Sequence, residues 1–410
     1  MSKENIQLLE NESGAKNPDK PVILVFVGNY LPGYKAGGII RNIANTIDHL
    51  SDGFDFRVIT KDRDLGDTEP YGNIRFNEWQ EVGNAKVYYL SPEVASLKGI
   101  KTLLTHTPHD IVLLNSFFDP LTIKTLFIRR FSGIGFKPVI VAPFGEFAWA
   151  SLGQKYLKKY LFIKAAKLLG LYKNVIWRVS SEFEKNDLIK EMNIKSGTIH
   201  ITGDLPIKNI PDFLSQEPTL SGSDPHDLRI VFLSRISREK NLDYALKVLS
   251  KVETNILFDI YGPAENESYW KECQSLIKQL PNNIKVNYLG NATSDQVLRI
   301  FSQYDLFLFP TGGEAYGNVI AECLTVGTPV LISTETPWRD LNNDGLGWDV
   351  DLEKMDTFVN IIQEFSSLSS AQHSEKRRVV KENIQRRLFD PFVLSSNIQL
   401  FENQLPEFKK

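Results

Sequence analysis

Pro21-Val22-Ile23-Leu24-Val25-Phe26-Val27-Gly28 is an apolar run that stops at a glycine. A strand with one face in water alternates apolar and polar residues. A strand covered on both faces does not, and that is the habit of parallel sheets. Similar runs recur at 56–60, 111–115, 138–142 and 175–179, with amphipathic stretches such as 39–50 and 120–131 between them. This alternation predicts a doubly wound α/β domain over 21–206, preceded by a polar tail, 1–20, read as disordered or loosely attached.

The pattern then restarts. Residues 207–227 are rich in turn formers and read as a linker. After them the runs 229–234, 255–261, 284–289, 306–310 and 329–333 predict a second α/β domain over 228–388. A late helical stretch, 374–388, stops before Phe389-Asp390-Pro391, and a further helical segment runs on within 389–410. A chain of 410 residues suits two cores of this size. The expected architecture is two Rossmann-like halves facing each other across a cleft, with ligands at the carboxyl ends of the strands.

Composition narrows the function. A hydrophobic content of 42% with 24% charged residues fits a soluble globular protein, and a net charge of −3 gives no reason to expect nucleic acid. The charge is uneven: 26 Lys and Arg stand against 22 Asp and Glu up to residue 205, and 21 against 28 after it. The first part is therefore the better candidate for an anionic surface or substrate. Two cysteines, Cys273 and Cys323, lack the spacing of a metal cluster or disulfide framework, so a reducing cytoplasm is expected. No run approaches 18 apolar residues, which leaves at most peripheral membrane contact.

Two segments carry chemistry in the second domain. Glu314 and Glu322 stand either side of Ala315-Tyr316-Gly317-Asn318, after the strand run 306–310. A helix is expected to begin beyond Tyr316-Gly317-Asn318, so the backbone N–H groups there can meet phosphate oxygens. Glutamates flanking an ordinary helix, with glycines serving a turn, would look the same. Arg235 and Lys240 follow the domain's first strand and could grip a diphosphate through charge-assisted hydrogen bonds. A solvated basic loop is the plainer alternative.

Together these segments resemble glycosyltransferase family 4, retaining nucleotide-sugar enzymes with the GT-B fold. The resemblance also takes in Ile260-Tyr261-Gly262-Pro263 and Tyr288-Leu289-Gly290 before Ser294-Asp295. It implies that Glu314 contacts the donor sugar, that Glu322 bonds the ribose hydroxyls, and that Arg235 and Lys240 hold and stabilise the diphosphate. Arg235, Lys240 and Glu314 are then the catalytic residues, and Tyr316, Gly317 and Asn318 complete the donor site. Ser234 departs from the family, where a glycine usually precedes the arginine. The glycine-rich loop ending Gly37-Gly38 in the first domain is a weaker match, expected near the donor phosphates. Glu146, in Pro143-Phe144-Gly145-Glu146, is a candidate polar group facing the acceptor or sugar, or else a solvated loop carboxylate.

The resemblance implies a UDP- or GDP-linked donor, a saccharide or lipid-linked saccharide acceptor, and no cofactor or metal. Asp62-Arg63-Asp64 and Asp349-Val350-Asp351 spell Asp-x-Asp, a metal motif of another glycosyltransferase fold, but lack supporting residues. The stretch 155–169, basic and apolar without an acid, is either a helix covering the sheet or a contact to an anionic membrane. The expected function is retaining sugar transfer in surface polysaccharide assembly, in the cytoplasm or on the inner membrane face. A GT-B epimerase or phosphorylase, or a non-catalytic binding subunit, are the rival readings.

Overall fold

A computed structural model describes residues 20–133, 137–153, 156–208, 228–293, 295–388 and 390–406. The expected tail 1–20 and linker 207–227 lie outside these residues except for Lys20, Ile207 and Lys208, and so do Lys155, Ser294 and Phe389. The chain divides into two compact units: residues 1–208 with 391–410, and residues 209–390.

The first unit holds an eight-stranded sheet. Its strands are β1 Val22–Phe26, β2 Asp55–Lys61, β3 Trp79–Val82, β4 Ala85–Leu90, β5 Ile111–Asn115, β6 Val139–Ala142, β7 Ile176–Val179 and β8 Ile199–Ile201. They lie in the order β3-β4-β2-β1-β5-β6-β7-β8. All neighbours are parallel except β3 and β4. The opening apolar run is the centre of this sheet, and its residues divide between two cores by the two-residue period of a strand. Leu24 and Phe26 pack with Leu114, Val141 and Trp177 on one face, while Ile23 and Val25 pack with Phe56 and Leu113 on the other. The helix Gly38–Leu50 covers the second face with Ile40, Ile43, Ile47 and Leu50, which recur at helical spacing.

The last helix, Pro391–Glu402, belongs to that same core. Leu400 and Phe401 are buried in it, and the Phe401 ring lies 5.4 Å from Phe54 and 6.2 Å from Phe56. Asn397 Nδ2 donates to Gly203 O at 2.9 Å, fixing the helix along its length.

The second unit has a six-stranded, wholly parallel sheet: β9 Leu228–Leu233, β10 Ile256–Tyr261, β11 Ile284–Tyr288, β12 Leu306–Phe309, β13 Val330–Ser333 and β14 Gly347–Val350. The order is β11-β10-β9-β12-β13-β14. From β9 the chain therefore winds outward through β10 and β11, then returns to lay β12 on the other side of β9. The corresponding reversal in the first unit falls between β1 and β5. At such a point the loops leaving two neighbouring strands diverge and open a crevice at their carboxyl ends.

Four strands escaped the sequence reading. β3 and β4 form a hairpin over Gly83, which adopts a left-handed φ of 57°, and β3 is half-exposed and lacks an apolar run. β8 and β14 have three and four residues and sit at sheet edges. The helix expected at 374–388 spans Ser370–Leu388, because only Val380, Ile384 and Leu388 of its residues are buried and the pattern gives little warning of its start.

Replacing Phe401 by alanine should cost about 3–5 kcal/mol, as for other buried aromatic side chains. Urea unfolding of the full chain would report it as a lower midpoint for the first unit. A loss below about 1 kcal/mol would mean that the last helix does not anchor that core.

Candidate functional site

The crevice between β9 and β12 gathers the charged residues singled out in the second unit. β9 ends at Leu233, and the backbone then passes directly over Gly262. A Cβ on Gly262, whose φ is 132°, would lie 1.8 Å from Ser234 O, so only glycine fits there. Ile236 N donates to Pro263 O at 2.8 Å and completes the junction of the two loops. Ser234 itself is not among the non-glycine residues with positive φ, so its backbone makes no demand for glycine.

Arg235 leaves this junction and donates through Nη1 to both oxygens of Glu265, at 3.2 and 3.1 Å. Burial disfavours its charge, but Glu265, Glu239 and Glu314 outweigh that and hold its pKa above the ordinary arginine value. A 3-10 turn, Arg238–Lys240, follows, and Asn241 in the left-handed region starts the helix Leu242–Leu249.

The loop after β12 is tied to that turn through a single carbonyl. Gly312 N and Thr311 Oγ1 both donate to Glu239 O, at 2.7 and 3.2 Å. Lys240 is thereby delivered, with 6% of its surface exposed, to Glu314, whose Oε1 accepts from Nζ at 2.8 Å. A cation this buried requires a counter-charge, and removal of the partner would strand it. The further Lys240 contacts, to Glu239 Oε1 at 3.4 Å and Gly313 O at 3.5 Å, are long. The ammonium therefore has donor capacity that a phosphate oxygen could take at a shorter distance.

Beyond Glu314 the chain is fixed by Trp338, which the sequence reading did not single out. Its indole Nε1 donates to Tyr316 O at 2.6 Å, and the two rings meet edge to face at 5.6 Å. Gly317, at φ 85°, then turns the chain into the helix Asn318–Thr325. Glu322 lies one turn after Asn318 on the helix's half-exposed side, while Ile320, Ala321, Cys323, Leu324 and Thr325 are buried. The structure thus brings Arg235, Lys240 and Glu314 together at one crevice and sets Tyr316, Gly317, Asn318 and Glu322 along the segment leaving it.

Gly37, Gly38 and Glu146 lie in the first unit. Gly37 has φ 67° with open space where a Cβ would stand, so the backbone angle and not crowding calls for glycine; Gly38 is the first residue of its helix. The loop is held by Asp64, whose Oδ2 accepts from Tyr34 N at 2.8 Å and Lys35 N at 3.1 Å. Asp62 pairs with Arg63 Nε at 2.8 Å. In the other Asp-x-Asp, Asp349 accepts from Leu341 N and Asp351 from Glu353 N, each at 2.9 Å. All four carboxylates are thus engaged by their own surroundings, and among the described residues no group of three or more His, Cys, Asp or Glu could hold a metal ion.

The Glu146 carboxylate turns into the loop after β5. It accepts from Ser116 Oγ at 2.6 Å, from Phe117 N, and from Phe118 N at 3.4 Å. Burial pushes its pKa up to about 7 against the pull of these donors. Glu184, unremarked in the sequence, does the same for the neighbouring loop, accepting from Gly145 N at 2.6 Å and Ser180 N at 2.8 Å, and burial raises it too.

The family model for glycosyl transferases group 1 matches residues 217–387. In sequence, an uncharacterized glycosyltransferase of Methanocaldococcus jannaschii is 24% identical over 145 residues, covering 32% of this chain and 36% of that protein. This chain thus matches little more than a third of that relative's length. An uncharacterized 41.2 kDa protein in the cps region of Klebsiella pneumoniae is 21% identical over 313 residues, 74% of this chain and 81% of that one. Among solved structures, Anabaena HepE in complex with UDP and glucose has a TM-score of 0.64 at 16% identity, covering 93% of this chain and 99% of its own. WaaG, a glycosyltransferase involved in lipopolysaccharide biosynthesis, has a TM-score of 0.63 at 14% identity with the same coverage. At these identities the likeness speaks for the fold, which is GT-B.

Because burial lifts the Glu146 pKa from 4.5 to about 7, the folded protein binds this proton more tightly than the unfolded chain. The resulting stabilisation is full below the unfolded value and is lost as pH rises through the folded one. Stability should therefore decline between about pH 4.5 and pH 7, and Glu146→Gln should flatten that decline, leaving the share due to Glu184. Unfolding midpoints measured across this range check it; an equally steep profile in the variant would contradict the assignment.

Proposed function

From the match of residues 217–387 to the family model for glycosyl transferases group 1, we propose that the chain moves a sugar from a nucleoside diphosphate to a saccharide hydroxyl. The observation that carries this reading is the Lys240–Glu314 pair at the β9–β12 crevice. It sets one cation and one carboxylate side by side at the carboxyl edge of the sheet, with Arg235 on the same β9 loop.

In the proposed complex Arg235 and Lys240 hold the diphosphate of a UDP- or GDP-linked donor. Glu314 lies beside the sugar, Glu322 bonds the ribose hydroxyls, and the backbone at Tyr316-Gly317-Asn318 adds N–H donors. The bond from the anomeric carbon to the phosphate oxygen breaks, and the acceptor oxygen bonds to the same face. The departing oxygen takes the acceptor's proton. Configuration is thus retained without a separate base, and the two cations meet the charge that grows on the leaving group, so the step asks for no metal.

We assign the acceptor to surface polysaccharide assembly, as a saccharide carried on lipid at the inner face of the cell membrane. The protein in the Klebsiella cps region supports that setting. The Glu146 carboxylate, turned into the loop after β5, acts in this reading by shaping that loop and not by facing the reacting carbon.

Thermal shifts with UDP, GDP and their sugars would identify the donor, since a bound nucleotide stabilises the fold by mass action. With the donor in hand, Lys240→Ala should lower turnover by about 100-fold or more, as loss of a donor to a developing oxyanion does. Glu322→Ala should mainly raise the donor KM. The proton spectrum of the product should show the donor's anomeric configuration. Wild-type transfer in both variants would refute the site, and conversion of the nucleotide sugar without any acceptor would indicate an epimerase instead.

A further inference from the structure

The helix Tyr156–Leu169 carries its apolar residues on the wrong side for a helix in water. At 3.6 residues per turn, its inner side is Ile163 and Ala166, both buried. Opposite them run Leu157, Leu161, Lys164 and Leu168, and the three leucines are 68%, 58% and 88% exposed. A helix covering a sheet would present charge along that ridge. Here most of the charge stands on its flanks, in exposed Lys158 and Lys167, with no acidic residue anywhere in 155–169.

A second helix extends the same surface. Arg130 Nε, on the helix Pro120–Phe131, donates to Leu169 O at 3.3 Å and joins the carboxyl ends of the two helices. Beside it Phe127 and Phe131 stand 42% and 51% exposed with their rings 4.8 Å apart. Neither aromatic was part of the sequence-based expectation, which rested on 155–169 alone.

We propose that these two helices form the docking face for an anionic phospholipid bilayer. The leucine ridge and the two phenylalanines enter the boundary between headgroups and acyl chains, and Lys158, Lys164 and Arg130 reach the lipid phosphates. Charge selects this occupant. A second copy packed symmetrically on the same face would oppose lysine to lysine, whereas anionic headgroups complement them. The proposal extends the membrane setting assigned above and stands on a different surface from the donor site, so each can fail alone.

The test uses the full chain in co-sedimentation with vesicles of phosphatidylcholine, with and without phosphatidylglycerol, at low and high salt. Binding is expected with phosphatidylglycerol at low salt and should weaken with salt. Lys158→Glu with Lys164→Glu should reduce it about tenfold or more. Leu157→Ser with Leu161→Ser and Leu168→Ser should abolish it. These variants alter exposed positions, so unfolding curves and UDP affinity should match the wild type. Failure of the wild type to bind such vesicles, or unchanged binding by the variants, would overturn the proposal. So would a dimer seen by sedimentation without lipid that the leucine variant dissolves. Loss of transfer to a water-soluble acceptor, with vesicle binding intact, would count against the proposed function instead.

Discussion

Lys240 is a cation with almost no access to water, and the arrangement of the second unit's crevice follows from neutralising it. Its counter-charge, Glu314, comes from the loop after β12, whereas Lys240 itself follows β9. The pair can form only because β12 is laid beside β9 after the chain has wound out to β11 and back. The Glu239 carbonyl, shared by Thr311 and Gly312, then sets the separation of the two loops. A buried ion pair adds little to stability compared with apolar packing of the same volume. In the proposed function it provides a charged group whose position is fixed before a ligand arrives, which is the condition for stabilising charge that develops during reaction.

The first unit solves a related problem differently. Its sheet also reverses, between β1 and β5, but the carboxylates near the strand ends are directed into the backbone of neighbouring loops. Glu146 holds the turn after β5, Glu184 the turn after β6, and Asp64 the glycine-rich loop. In the second unit a carboxylate faces a cation at the crevice; in the first, carboxylates shape backbone. Raised pKa values at Glu146 and Glu184 are the cost of using buried acids as braces. The carboxyl groups with raised pKa values thus brace backbone in the first unit, whereas Glu314 in the second is paired with a cation, Lys240.

Much of this was legible in the sequence. The run at 21–28 sits at the centre of the first sheet because strands buried on both faces leave no polar alternation, and the repeat of that signature after residue 227 located the second sheet. Arg235, Lys240 and Glu314 were visible as charged residues just past strand ends. Their meeting was not, because 74 residues separate Lys240 from Glu314 and only the strand order brings them together. Short edge strands such as β8 and β14 carry too few residues for a period to show. Trp338 was hidden for another reason: its role is a single hydrogen bond to a backbone carbonyl, and no spacing announces that. Glu146 stood in a loop after a strand, as a ligand-facing residue would, and the sequence held nothing to say which way its side chain turns.

In the proposed function Arg235 and Lys240 make the β9–β12 crevice a diphosphate site. Calorimetric titration of the full chain with UDP and GDP, the matching monophosphates and the free nucleosides tests it most directly. For the base that the protein accepts, the diphosphate should bind about 100-fold or more tightly than the nucleoside, as two hydrogen bonds to charged groups would give. That margin should shrink as salt is added. A nucleoside that binds as tightly as its diphosphate, or a diphosphate whose affinity survives replacement of both Arg235 and Lys240 by alanine, would contradict the account.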